Sequence, residues 1–333
     1  MRTPRIKAGE NGVYHCTSRI IESKFYLAAD KAKEKFTELI YAHAKFTGMK
    51  IINLQIMDNH IHALLREPPR QNLSDEELLT RIRDFRGDQE ADLVSQQLEI
   101  FAKRGDEASL KQACDLRRKY LSRMYDLSRF MQEVMSNFSR WLNHRLNRRG
   151  PVWEDRFKST IVEPGSYALF SVSAYTDLNK IRAGMISDPK MDRWSGYGRA
   201  VRGCDLARQG IVEAMSFWPT PEGKDVLEEY RMMMFVRGVA THQGQTDGKG
   251  RPAFDREKVE KMLKQGGRLS FQDRIRFNWK GLMGAGILGG QDFLRKIYEA
   301  NADKLGNKRV NIGHYLLEDE DSLMALRGKT ELI

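Results

Sequence analysis

Apolar residues change their spacing along this chain, and each change marks an element. Residues 12–21 (Gly-Val-Tyr-His-Cys-Thr-Ser-Arg-Ile-Ile) are rich in β-branched and aromatic side chains, which predicts a strand. Residues 30–47 place Phe36, Leu39, Ile40 and Ala44 at helical spacing, with Asp30 positioned to cap the start and Gly48 to end the helix. Residues 50–57 are apolar enough for a central strand. Asp58-Asn59 is a turn signal, and residues 60–66 follow as a third strand that pairs with the second as a hairpin. Strand–helix–strand–strand is the opening of a split βαβ, ferredoxin-like antiparallel sheet, so the expected class is α+β.

Pro68-Pro69 breaks this pattern. Ser74 and Glu77 form a capping box, and a charged helical insertion over about residues 70–116 follows, with acids and bases mixed and no evident chemistry. Residues 116–147 read as a long helical region with a break near Asp126-Leu127-Ser128, stopped by Arg148-Arg149-Gly150-Pro151. Residues 157–162 are a fourth strand and residues 166–179 a helix. From about Gly203 the character changes. Helical segments at 225–237, 255–265, 270–277 and 291–305 flank a polar, glycine-containing linker at 241–252. The expected division is a catalytic domain over 1–204 and an all-helical C-terminal extension over 205–333, in an accessory DNA- or partner-binding role.

The chain has 333 residues, enough for a sizeable core, with 41% hydrophobic and 30% charged residues. No apolar run approaches the roughly 18–20 residues of a membrane span. No apolar leader follows Met1, and three scattered cysteines form neither a zinc spacing nor a disulfide framework, so the expected location is cytoplasmic, without membrane association. The net charge of +11 points to a polyanion. Between residues 117 and 160, eleven Lys/Arg stand against four Asp/Glu, interleaved with Tyr120, Tyr125, Phe130, Phe138, Trp141, Trp153 and Phe157. Cations meet phosphates and rings stack on bases in such surfaces. The alternative is an amphipathic helix with a solvated basic face and its rings in the core.

The candidate chemistry centres on His60-Ile61-His62. Alternate side chains of a strand share a face, so the two imidazoles face one way and can grip one metal ion. The spacing alone is weak in a chain with seven His. Tyr175 and Asn179, four apart, share a helix face, which sets a phenol near an amide; a helical tyrosine is otherwise a core residue with a wet hydroxyl. Arg19, Arg148, Arg149, Arg156, Lys158 and Arg182 are candidate phosphate contacts, with surface charge as the alternative for each. Trp141 and Trp153 are either stacking platforms or packed residues. His15 lies on the neighbouring strand, near the site or in a structural hydrogen bond. Gly284-Ala-Gly286-Ile-Leu-Gly289 matches a dinucleotide-binding pattern, but no buried strand precedes it, so a turn or packing role is expected.

Five segments, in order over roughly residues 10–200, together resemble the HUH-superfamily single-tyrosine transposases, in particular the REP-associated tyrosine transposase type. Val13-Tyr-His-Cys-Thr-Ser-Arg19 is similar to that family's first strand, and Met57-Asp-Asn-His-Ile-His-Ala-Leu-Leu65 to its His-hydrophobic-His motif. Trp153-Glu-Asp-Arg-Phe-Lys-Ser159 and Tyr175-Thr-Asp-Leu-Asn-Lys-Ile-Arg-Ala-Gly184 resemble its Trp-x-x-Arg and Tyr-x-x-Leu-Asn segments, and Trp194-Ser-Gly-Tyr197 the run that follows. Asp58 and Lys180 stand where proline is usual, changes to a turn and a helix end. The resemblance implies His60 and His62 as metal ligands, Tyr175 as nucleophile, and Mg2+ or Mn2+ as cofactor. The four-residue offset suggests Asn179 as a third ligand. The implied activity is DNA nicking and joining on single-stranded, hairpin-forming DNA through a 5′-phosphotyrosine. The alternatives are a domesticated transposase acting on chromosomal repeats and a structured nucleic-acid-binding protein without cleavage. Members of that family act as monomers or as dimers that share sites, which leaves a homodimer open.

Overall fold

The computed structural model describes residues 6–220, 222–236, 286–305, 314–315 and 324–326. Among the described residues, seven strands form one sheet in the order β2-β3-β1-β4-β5-β7-β6. β1 is Gly12–Arg19, β2 Lys50–Ile56, β3 His60–Glu67 and β4 Lys158–Val162. The order of these four is the ferredoxin-like arrangement expected from the opening elements. β2 and β3 are joined through the three-residue turn at 57–59, where the Met57 N–H donates to the His60 carbonyl. β1 lies between β3 and β4 and pairs antiparallel with β4, Val13 opposite Val162 and His15 opposite Thr160. A strand flanked on both sides is central, and Val13, Tyr14, His15 and Cys16 are all buried.

The chain forms two compact units. The first comprises residues 1–27, 51–66 and 155–333, the second residues 28–50 and 67–154. The second unit contains α1 (Asp30–Thr47), the insertion helices α2 (Asp75–Arg86), α3 (Asp88–Arg104) and α4 (Glu107–Leu121), and α5 (Leu127–Arg145). Both halves of the Ser74–Glu77 capping box are made. Asp126 caps α5 by accepting the Arg129 N–H, which places the break where the sequence puts it. Ala29, not Asp30, is the N-cap of α1; Asp30 is its first helical residue and favours the positive end of the helix dipole instead.

In the first unit, α6 (Tyr167–Arg182) is buried at every residue from Tyr167 to Ile181. Ser166 caps it by accepting the Ala168 N–H. Sheet residues Val13, Ile52, Leu64 and Val162 join one core with α6, α8 (Asp205–Ala214) and α9 (Val226–Val236). α7 (Gly196–Val201) adds Tyr197 and Ala200. A Cβ on Gly210 of α8 would collide with the Ile52 carbonyl, so glycine there allows helix and strand backbones to touch.

Two expectations for the C-terminal part are corrected. Helices α8 and α9, beyond residue 204, share the core of α6, so no break in packing follows residue 204. The extension is not all-helical either. β5 (Ile287–Gly289) lies parallel to β4, with Ile161 opposite Ile287, and β7 (Met324–Leu326) and β6 (His314–Tyr315) continue the sheet antiparallel. Three consecutive residues are too few for periodicity to reveal, and the sheet edge that selects them lies far away in sequence. The stretch 287–289 of the glycine pattern is thus strand. α10 (Gln291–Ala300) and α11 (Ala302–Leu305) follow, as the predicted segment 291–305 anticipates. The segments predicted at 255–265 and 270–277, the linker 241–252 and Gly284 lie outside the described residues. Among the described residues no helix is long and apolar enough to cross a membrane.

Candidate active site

Residues two apart on a strand share a face, so His15 lies on the face of Val13, and His62 on that of Leu64. Val13 and Leu64 both pack into the core of α6. The histidines therefore extend the α6-covered face of the sheet, and α6 brings Tyr175 to them. The Tyr175 ring centre is 5.7 Å from that of His62 and 6.3 Å from that of His15, both edge-on. The His60 and His62 rings are 5.0 Å apart, near perpendicular. The His15 and His62 ring centres are 5.2 Å apart with planes 8° apart, and His15 Nε2 lies 3.1 Å from His62 Nδ1. His15 thus both adjoins the site and makes a hydrogen bond within it.

His60 Nδ1 donates to Asn59 Oδ1 at 2.7 Å, since a carbonyl oxygen can only accept. His62 Nε2 is buried and has no hydrogen-bond partner among the described residues, an arrangement that is costly unless something else occupies its lone pair. Burial lowers all three imidazoles, His15 and His60 to about 4 and His62 well below the ordinary value. Neighbouring His15, His60, Arg182 and Arg19 lower His62 further, and Arg19 lowers His60. All three are neutral at pH 7, the form that ligates metals. Among the described residues no group of three or more His, Cys, Asp or Glu is arranged to hold a metal. A cation here would therefore draw on the His60–His62 pair and on a ligand of another type.

The other candidates are placed as follows. Asn179 is buried, and its amide nitrogen donates to the Tyr175 and Thr176 carbonyls at 3.1 and 3.4 Å, so a metal would have to take its Oδ1. The Arg182 guanidinium carbon lies 4.6 Å from the Tyr175 ring centre, in a cation–π contact. Arg19, Arg156 and Lys158 are exposed, and Lys158 stands opposite Thr17. That register sets Lys158 and Arg19 on the same face of the sheet as His15. In the second unit Arg149 is exposed, while Arg148 Nη2 donates to the Pro151 carbonyl. The Trp153 indole N–H donates to the Met135 carbonyl, and its ring packs against Phe36 and Phe138. Packing, the alternative reading for Trp153, is what these contacts describe. Trp141 lies against Phe138 and Arg145.

The polar support beneath Tyr175 was not legible in sequence. Asp177 accepts from Asn53 Nδ2 at 2.7 Å, the Tyr230 hydroxyl at 2.8 Å and the Tyr197 N–H at 2.9 Å, and burial raises its carboxyl to about 6. Lys180 is buried and pairs with Asp192 at 2.7 Å, and Gln55 Nε2 donates to the other Asp192 oxygen at 2.7 Å. Lys180, where the resembled pattern has proline, keeps α6 helical through Arg182.

Comparison with known proteins adds the following. Residues 10–78, which hold β1 to β3 and the histidine pair, match the family model described as transposase IS200-like. Among curated proteins none matches. One solved structure, a REP-associated tyrosine transposase bound to a REP hairpin, is 12% identical, with 68% of this chain and 92% of that one covered and a TM-score of 0.38. A likeness that loose carries no weight here. The family likeness of this chain is thus to the IS200-like transposases, over its residues 10–78.

Proposed function

We propose that this chain is a metal-dependent, single-tyrosine DNA endonuclease and strand transferase acting on single-stranded, hairpin-forming DNA. The observation that supports this most is the convergence of the His60–His62 pair with Tyr175 and Arg182, on the segment that carries the family match. His60 and His62, with Asn179 through Oδ1, would hold the divalent ion. When bound, it would neutralise a non-bridging phosphate oxygen and make phosphorus more electrophilic. Mg2+ prefers oxygen shells, so a two-imidazole site favours Mn2+ of the pair.

The chain's own residues supply the rest. Tyr175 Oη attacks phosphorus, an Oη–P bond forms and the P–O3′ bond breaks. The phenol's proton is given up, and a proton ends on the released 3′-hydroxyl. Arg182 holds its positive charge against the Tyr175 ring, where it would offset the negative charge of the reacting phosphate. A 3′-hydroxyl of a second strand then attacks the 5′-phosphotyrosine, the P–Oη bond breaks and Tyr175 is regenerated. One ester replaces another at each step, so no nucleotide cofactor is needed. Arg19, Arg156 and Lys158 would hold the flanking backbone.

The test is a covalent-adduct assay with 5′- or 3′-labelled single-stranded hairpin oligonucleotides and Mg2+ or Mn2+, run on a denaturing gel beside Tyr175→Phe. The expected result is a metal-dependent adduct on the 5′ end created by the cut, absent in Tyr175→Phe. Binding without cleavage across varied hairpins and both metals would establish the binding-only alternative instead.

A further inference from the structure

We propose that His15 and Asn59 are positioning residues that hold His62 and His60 in one tautomer, Nδ1 protonated and Nε2 bare, so that both present Nε2 to a single cation. This rests on the metal reading above and specifies how the protein prepares for it. The His60 half follows from the Asn59 amide. Its nitrogen donates to the Ser23 carbonyl at 3.4 Å, which turns its oxygen towards His60 Nδ1 at 2.7 Å. That oxygen can only accept, so the proton sits on His60 Nδ1.

The His62 half is a choice between two arrangements of one hydrogen bond. His62 Nδ1 and His15 Nε2 are 3.1 Å apart and share one proton. If His15 donates, neutral His62 carries its proton on Nε2, and that buried N–H lacks an acceptor among the described residues. Such a ring cannot ligate through Nε2. If His62 donates, its Nε2 is a bare lone pair in a buried position, which a cation would satisfy. His15 is well placed for this task. It is 3% exposed, on a central strand, with its ring plane 8° from that of His62. Partners of this outer kind fix ligand orientation and raise ligand basicity.

The experiment uses the full chain, its Mn2+ affinity by calorimetry and, on metal-free protein, long-range 1H–15N spectra of the imidazoles. The wild type is expected to show His60 and His62 as Nδ1–H tautomers. His15→Phe, which removes the acceptor, is expected to lose about 10- to 100-fold in Mn2+ affinity and to release His62 into mixed tautomers. His15→Gln, whose amide oxygen can accept, should recover much of that loss. A structural role alone predicts no such recovery and no change in the His62 spectrum. Asn59→Ala, in a half-buried turn, tests the His60 half even where His15→Phe fails to fold. Wild-type His62 found as the Nε2–H tautomer, or full Mn2+ affinity in both His15→Phe and Asn59→Ala, would overturn the proposal. Wild-type protein that takes up no Mn2+ would fell the metal reading itself, and the positioning role with it.

Discussion

Three imidazoles, those of His15 and His62 buried and that of His60 half-buried, give the site a pH signature of its own. His15 and His60 protonate near 4 in the fold and His62 well below its ordinary value, against about 6.5 in the unfolded chain. Between those values the unfolded chain binds more protons, so the stability these groups confer is present above pH 6.5 and lost as pH falls towards 4. Asp177 acts in the opposite sense. Its carboxyl is raised to about 6, so its contribution is present at low pH and lost as pH rises through 6. The histidines outnumber it. Unfolding by urea should show the protein less stable at pH 5 than at pH 7, by roughly 2–4 kcal/mol. A flat or inverted profile would contradict these protonation states. At this scale the sequence was informative where spacing decides. His60 and His62 alternate on a strand, and Arg182 stands seven residues after Tyr175, two helical turns along one face. It offered His15 as a neighbour of the site or a structural hydrogen bond but did not name His62 as its partner, because cross-strand register is set by the whole sheet.

Among the elements, α6 departs furthest from its pattern. Ser171, Ser173, Thr176, Asp177, Asn179 and Lys180 are polar, yet all are buried. Periodicity registers residue types and not their partners; here the partners come from β2, from α9 and from residues 192–197. The Lys180–Asp192 pair makes this measurable. Removing one member leaves the other's charge buried, at a cost of about 3–5 kcal/mol. Lys180→Ala should show that loss in chemical denaturation, and a value within about 1 kcal/mol of wild type would show the pair to be solvated. The other boundaries were legible because their signals are local: Ser166 at the α6 N-cap, Gly48 in the left-handed conformation that ends α1, and Asp126 before α5.

For the whole molecule, the charge of +11 is the relevant quantity. Were Arg19, Arg156, Lys158 and Arg182 all to meet phosphates of a single strand, log affinity should fall with log salt at a slope of about −3. Filter binding or anisotropy across a salt series measures it, and Lys158→Ala should reduce the slope by roughly 0.7. An unchanged slope would remove Lys158 from the interface. The ferredoxin-like order was legible at this scale because β1, β2 and β3 arise from one short run of sequence. The completion of the sheet was not, because β5 reaches β4 from the other end of the chain. The Ile161 N–H donates to the Gly286 carbonyl, and the Glu163 N–H to that of Leu288, each at 2.9 Å. During synthesis, β4 emerges with that edge unpaired and waits for residues 286–288. At about 5–20 residues per second, the wait is on the order of 10 s. An open strand edge invites pairing with another chain, so a ribosome stalled between residues 163 and 286 would release a species prone to aggregate.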